Sequence, residues 1–140
     1  MDELRKLARF STLLALSLSV FAACTPGPND VAVCDAYHGT SSGVEVIADG
    51  TVQRLLGTRE GRSGEHEGFL LQLRSGCVLT LRVETNVDFT GPIPLRAGEA
   101  VVVKGEYEYE TLGGVIHWTH RDPRGRHAGG YVEAGGMYYW

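Results

Sequence analysis

The sequence predicts an all-β domain, a small closed barrel preceded by one short helix. Three observations lead there: repeated apolar–polar alternation of strand period, glycine-rich turns between the alternating runs (19 Gly in 140 residues), and little helical periodicity. Five or more short strands favour closure, because a barrel leaves no unpaired edge to aggregate. The composition agrees, since 43% hydrophobic and 21% charged residues fit neither a disordered tail nor a coiled coil. A formal net charge of −4 argues against a protein that coats nucleic acid through bulk positive charge.

The first element is a targeting signal over residues 1–23. Arg5, Lys6 and Arg9 precede an apolar run from Phe10 to Ala23, shorter than the roughly 17–25 residues of a spanning helix. It reads as a secretory signal peptide. Its end, Phe21-Ala22-Ala23-Cys24, resembles the lipobox of bacterial lipoproteins, with Phe21 where Leu is usual. The resemblance implies that Cys24 becomes a lipidated N-terminus, which anchors the chain to a membrane. Thr25, where Asp would stand in a retained lipoprotein, implies a cell-envelope location on the outer membrane, facing the periplasm. Residues 24–42 then hold the lipidated cysteine, a Pro/Gly tether and a short helix from Asp30 to about His38, capped by Asn29 or Asp30.

The barrel domain spans 43–140. Val44, Val46 and Ala48 alternate with polar residues, and the pattern resumes over Thr51–Leu56, so one long first strand bends or bulges at Gly50. Residues 57–64 read as a polar loop. Phe69, Leu71 and Leu73, then Leu79, Leu81 and Val83, form two strands across a tight Ser75-Gly76 turn. After Gly91-Pro92-Ile93-Pro94 comes a strong strand from Ala100 to about Glu110, turned back by Leu112-Gly113-Gly114 into Val115–His120. Short strands follow near Tyr131-Val132 and Met137–Trp140. This is the order of an OB-like barrel, with an SH3-like barrel as the alternative. Cys34 and Cys77 are the two cysteines besides Cys24. An oxidising envelope favours a disulfide between them, the alternative being two buried thiols.

The chemistry gathers after residue 105. Glu106, Glu108 and Glu110 share one strand face and Tyr107 and Tyr109 the other. A turn centred between Leu112 and Gly113 sets Trp118 opposite Tyr107 and Thr119 opposite Glu106, with His117 on the glutamate face and His120 at the strand end. His120 and Asp122 share parity, and Pro123-Arg124-Gly125 can bring His127 back beside them, so His66, His120, Asp122 and His127 are a conceivable metal set. No other cofactor is called for. Arg121, Arg124 and Arg126 suit phosphate or carboxylate oxygens.

Gly105-Glu106-Tyr107-Glu108, Gly113–His120 with its His117-Trp118-Thr119-His120 core, Asp122-Pro123 and Gly125-Arg126-His127 resemble a bacterial domain-of-unknown-function family of short proteins marked by an HWTH motif. Weaker matches are Gly50, Val52, His66, Phe69, Asn86 and Asp88. Glu84 or Thr85 stands where the family usually has a histidine before Asn86, and Arg121 where another often follows the motif. A metal site built on those histidines would be depleted here. The family carries no assigned activity.

The leading functional expectation is a lipid-anchored binding module whose surface gathers His66, Asn86, Asp88, Trp118, His120, Arg124, Arg126 and His127. Its ligand would be anionic: a phosphate-bearing metabolite, a nucleic-acid strand or an acidic polymer. One alternative is a phosphodiester hydrolase in which His120 or His127 is the base or metal ligand, Asp122 orients it, and Arg124 and Arg126 stabilise negative charge. No Ser or Cys nucleophile motif accompanies a base, which disfavours covalent catalysis. The other alternative is a structural envelope lipoprotein.

Overall fold

The computed structural model describes residues 26–140, so the expected signal segment and Cys24 lie outside the described residues. Helix α1 (Asp30–His38) is capped by Asn29, whose side chain accepts from Ala32 N. Asp30 is buried and fixes the helix to two other segments: Oδ1 accepts from Asp49 N at 2.7 Å, and Oδ2 from Ser75 N at 3.0 Å and Ser75 Oγ at 2.9 Å. Cys34 and Cys77 are disulfide-bonded beside that contact. These ties explain why the link between β2 (Gly64–Leu73) and β3 (Thr80–Asn86) is a longer loop than the tight Ser75-Gly76 turn expected. Both residues that tie it to the helix, Ser75 and Cys77, lie within it.

Strand β1 (Val44–Gly61) is the long bent strand. Its first half pairs with β4 (Ala100–Glu108) and its second with β2, and Gly50 and Thr51 belong to both ladders. A Cβ at Gly50 would meet Gln72 O at 2.4 Å, so only glycine admits β2 this closely. The bulges fall later, between Val52 and Arg54 and between Leu55 and Gly57. Residues 57–64, expected as a loop, mostly continue the hairpin: Thr58, Arg59 and Glu60 pair with Glu67, His66 and Glu65. Polar side chains are no obstacle there, because the β1 side of this hairpin is exposed and its β2 side, residues 64–68, only half-buried.

After the short helix α2 (Val87–Thr90) come β4, β5 (Val115–His117), β6 (Tyr131–Ala134) and β7 (Met137–Tyr139). The order β1-β2-β3-β5-β4 closes on itself through β1–β4, with β3 and β5 parallel, which is the five-stranded OB arrangement. The core inside the ring is built from alternate residues of each strand, among them Val52, Phe69, Leu81, Val103, Tyr107 and Ile116. Beyond β5, the same edge of β4 is taken by β6.

The β4–β5 register departs from the expected one. Tyr107 faces Ile116, and Glu106 faces His117, so Trp118 does not sit opposite Tyr107. The turn falls one residue earlier, on Thr111 and Leu112, and Gly113 closes it by donating its N–H to Glu110 O at 3.2 Å. Gly113 lies against Thr80 O and Gly114 over the Tyr107 ring, where a Cβ would be 2.0 Å and 2.4 Å away, and Tyr107 donates its hydroxyl to Gly113 O at 3.1 Å. The strand also stops at His117 because Trp118 takes a left-handed backbone, φ 54°. Thr119 turns inward and donates Oγ1 to Glu84 O at 3.0 Å, away from the glutamate face.

A candidate binding cleft at the mouth of the barrel

Where β5 ends, a cleft of about 260 Å³ opens, lined by Ser63, His66, Glu84, Asn86, Phe89, His117, Trp118, His120 and Arg126. Five of the residues singled out from sequence meet here: His66 from β2, Asn86 from the end of β3, and Trp118, His120 and Arg126 from the segment after β5. Asn86 opposes His66 across the β2–β3 ladder. Its Nδ2 donates to Ser63 O at 2.7 Å and its Oδ1 accepts from Asp88 N at 3.0 Å, which joins the hairpin turn to α2.

The histidines share one feature. His66 Nδ1 lies 2.9 Å from Gly64 O, His120 Nδ1 2.7 Å from Arg121 O, and His127 Nδ1 2.8 Å from Ala128 O. A carbonyl only accepts, so each Nδ1 carries the proton and each neutral ring keeps its lone pair on Nε2. His66 Nε2 accepts from Ser63 Oγ at 3.2 Å. His120 is 5% exposed, stacked on Phe89 at 4.5 Å and edge-on to His127 at 4.9 Å. Burial lowers its pKa; the Arg121 carbonyl opposes this, His127 and His66 add to it, and Asp122 opposes it.

Asp122 lies beside His127, with Oδ2 3.8 Å from Nε2, and its hydrogen bonds go to the loop backbone. Its Oδ1 accepts from Arg124 N at 2.9 Å, and its Oδ2 accepts from Arg126 N and from His127 N at 3.1 Å. Burial raises its pKa, but those three backbone donors and the Arg126 guanidinium outweigh it and bring the carboxyl to about 2. Asp122 therefore shapes the loop and does not face the cleft. Asp88 likewise caps Glu65 N, and Arg124 lies outside the lining. His127 is stacked behind Trp118 at 4.5 Å and lines a second hollow of about 180 Å³, so the indole separates the two spaces. Among the described residues, His66, His120, Asp122 and His127 do not form a group with ligating atoms within 4.8 Å of one another, so the expected metal set is not assembled.

Sequence reasoning missed Glu84, Phe89, Ser63 and His117 in this lining. Glu84 reads as an ordinary outward strand residue, and its carboxylate is engaged by Arg59 and Arg82. Phe89 carried a usable signal, an aromatic beside Asn86 and Asp88, and remains 49% exposed.

No curated protein matches the chain. A solved structure, the small single-stranded DNA-binding protein from Streptomyces coelicolor, aligns with a TM-score of 0.45 at 20% identity, covering 54% of this chain and 85% of that one. A likeness of that degree bears no functional argument. A family model covers residues 13–140, and the chain belongs to that family, described as "Protein of unknown function (DUF3465)".

Proposed function

We propose that this domain is a binding module whose ligand is a small phosphate-bearing or similarly anionic molecule seated in the barrel-mouth cleft, and that Cys24 anchors it by lipid to the bacterial envelope. The observation that carries the binding reading is convergence: His66, Asn86, Trp118, His120 and Arg126 come from three separate stretches of chain to one concavity. The Arg126 side chain is 61% exposed; its Nε pairs with Asp122 Oδ2 at 3.6 Å, which leaves the terminal guanidinium nitrogens to fork onto an anion's oxygens. Trp118 and Phe89 offer apolar surface, and Nε2 of neutral His120 accepts a hydrogen bond. The volume favours a small molecule over an extended strand, which needs a longer track of stacking rings.

The test is titration of inorganic phosphate and a nucleoside monophosphate into a Trp140→Phe protein, which leaves Trp118 as the fluorescent reporter. A small phosphate carries no condensed counterions, so its affinity should fall only shallowly with salt, unlike that of a nucleic-acid strand. Arg126→Ala should abolish the response. No binding, or a steep fall with salt, defeats the reading. The anchor is tested separately: Cys24→Ser should move the protein from the membrane fraction to the soluble one.

A second reading rests on His66 and His120, two imidazoles of fixed tautomer lining one cleft. Such a pair suits general acid–base transfer, as in phosphodiester hydrolysis. Turnover of an activated phosphodiester, lost in both His66→Gln and His120→Gln, would favour it; absence of turnover leaves binding alone.

A further inference from the structure

Glu106 and Glu108 stand two apart on β4, so they share the outer face of the ring while Gly105 and Tyr107 point inward. His117, the register partner of Glu106 on β5, joins them on that face. Its Nε2 lies 3.7 Å from Glu106 Oε1 and 3.8 Å from Glu108 Oε1. Those spacings are too long for hydrogen bonds. A second observation is independent of the carboxylates: His117 Nε2 is buried and has no hydrogen-bond partner among the described residues. Among those residues, this is the one group of three ligating side chains whose donor atoms lie within 4.8 Å of one another.

We infer that Glu106, Glu108 and His117 form a site for one divalent transition-metal ion. Two donors about 2.0–2.2 Å from a common tetrahedral ion stand roughly 3.3–3.6 Å apart. The two His117–glutamate spacings need to contract by only a few tenths of an ångström, and the two carboxylate oxygens, within 4.8 Å of each other, close by side-chain rotation. One imidazole and two carboxylates suit zinc, cobalt or manganese, and exclude the thiolate-seeking ions. The β4–β5 ladder holds the three Cα positions, so binding requires no refolding. The side chains are 34–37% exposed, which leaves water access to the remaining coordination positions. This site shares His117 with the rim of the anion cleft but does not depend on the cleft's ligand.

The experiment uses the full chain carrying Cys24→Ser, which removes the one thiol outside the disulfide. Zinc is titrated in competition with a chromophoric chelator, and cobalt is followed by its visible absorption. One ion per chain is expected. Glu106→Gln, Glu108→Gln and His117→Gln should each weaken zinc binding by at least about 10-fold, with unchanged far-ultraviolet circular dichroism, whereas His38→Gln should bind as the parent does. A reading that needs no ligand substitution is the imidazole nitrogen spectrum, where zinc should shift Nε2 of His117 alone among the five histidines. Failure to bind zinc or cobalt at one per chain, binding that survives His117→Gln, or a shift at His120 or His127 in place of His117 overturns the assignment.

Discussion

Gly105→Ala should destabilise the domain by about 3 kcal/mol, at the upper end of the usual range for overpacking. The magnitude comes from the crossing of the 117–119 segment over β4. A Cβ at Gly105 would lie 2.3 Å from His117 O, 2.8 Å from Ile116 Cγ2 and 3.2 Å from Thr119 Cγ2. The nearest of these is backbone, so relief requires moving the chain by about 1 Å, not turning a side chain. Gly105 has no positive φ, so the cost is steric alone. Gly129→Ala is the control, because its Cβ would meet nothing nearer than Arg121 Cα at 4.0 Å, and it should stay within about 0.5 kcal/mol of the parent. Urea unfolding followed by Trp fluorescence measures both, and the Gly105→Ala midpoint should drop while the slope stays constant. The substitution should also weaken phosphate binding, since it displaces the backbone that carries Trp118 and His120. Equal stability of the two variants would refute the close crossing and, with it, this account of how the cleft is formed.

Four further outcomes are expected. His120 is held below its ordinary 6.5 by burial, so the unfolded chain takes up a proton first. Its stabilising contribution is full above about pH 6.5 and is lost as pH falls through the lower folded value; His120→Gln should flatten that part of the urea midpoint–pH curve. Asp122, brought from 3.8 to about 2, contributes fully above 3.8 and loses its contribution as pH falls toward 2. Its removal in Asp122→Ala should disorder the 122–127 loop, seen as loss of amide-exchange protection at Arg124 and His127. Replacing both Cys34 and Cys77 with Ala opens a link of sequence separation 43, which should cost about 4 kcal/mol by chain entropy, read from chemical denaturation. Trp118→Phe should retain phosphate binding, whereas Trp118→Asn, better suited to the left-handed backbone, should lose binding without losing more stability than Phe; equal binding in both would refute a role for the ring.

The strand period of the sequence was enough to read the ring. Val46, Ala48, Phe69, Leu71, Leu81 and Val83 all face the core, as their alternation requires. What alternation lacks is any record of where a ladder stops. Thr58, Arg59 and Glu60 looked like loop because a hairpin standing beyond the core has no apolar face to mark it. Gly114 looked like part of the turn because composition cannot distinguish a turn glycine from one that makes room for an aromatic ring. The misplaced turn shifted the register by two positions, which preserves side-chain parity. His117 was therefore read correctly onto the glutamate face although its partner was wrong. In the cleft, the histidines, Trp118 and Arg126 announced themselves as rare polar and aromatic types. Glu84 and Ser63 did not, because their part depends on a β2–β3 register that long-range pairing sets.

The ring has an opening because β5 is cut to three residues. β3 runs on to Asn86, past the last β5 partner at Val83, and β6 takes over the edge of β4 only at Lys104. Between those points the chain from Trp118 to Gly130 leaves the sheet, and Gly130 N returns to His120 O at 2.9 Å to close its base. Gly130 permits this because a Cβ there would lie 2.2 Å from Trp118 O and 2.4 Å from Lys104 O. Continuing β5 would have supplied ladder hydrogen bonds and avoided a left-handed aromatic residue, which costs of order 1–2 kcal/mol. The excursion instead holds a stacked set of rings, Phe89 on His120 and Trp118 on His127, over a loop knotted to one carboxylate. A merely structural end to the barrel requires neither the strained indole nor three imidazoles each tied through Nδ1. Strain of this kind persists where the surrounding structure enforces it, and such positions cluster at binding and catalytic sites. The departure from sheet geometry at Trp118 thus falls at the same spot as the convergence of His66, Asn86, His120 and Arg126.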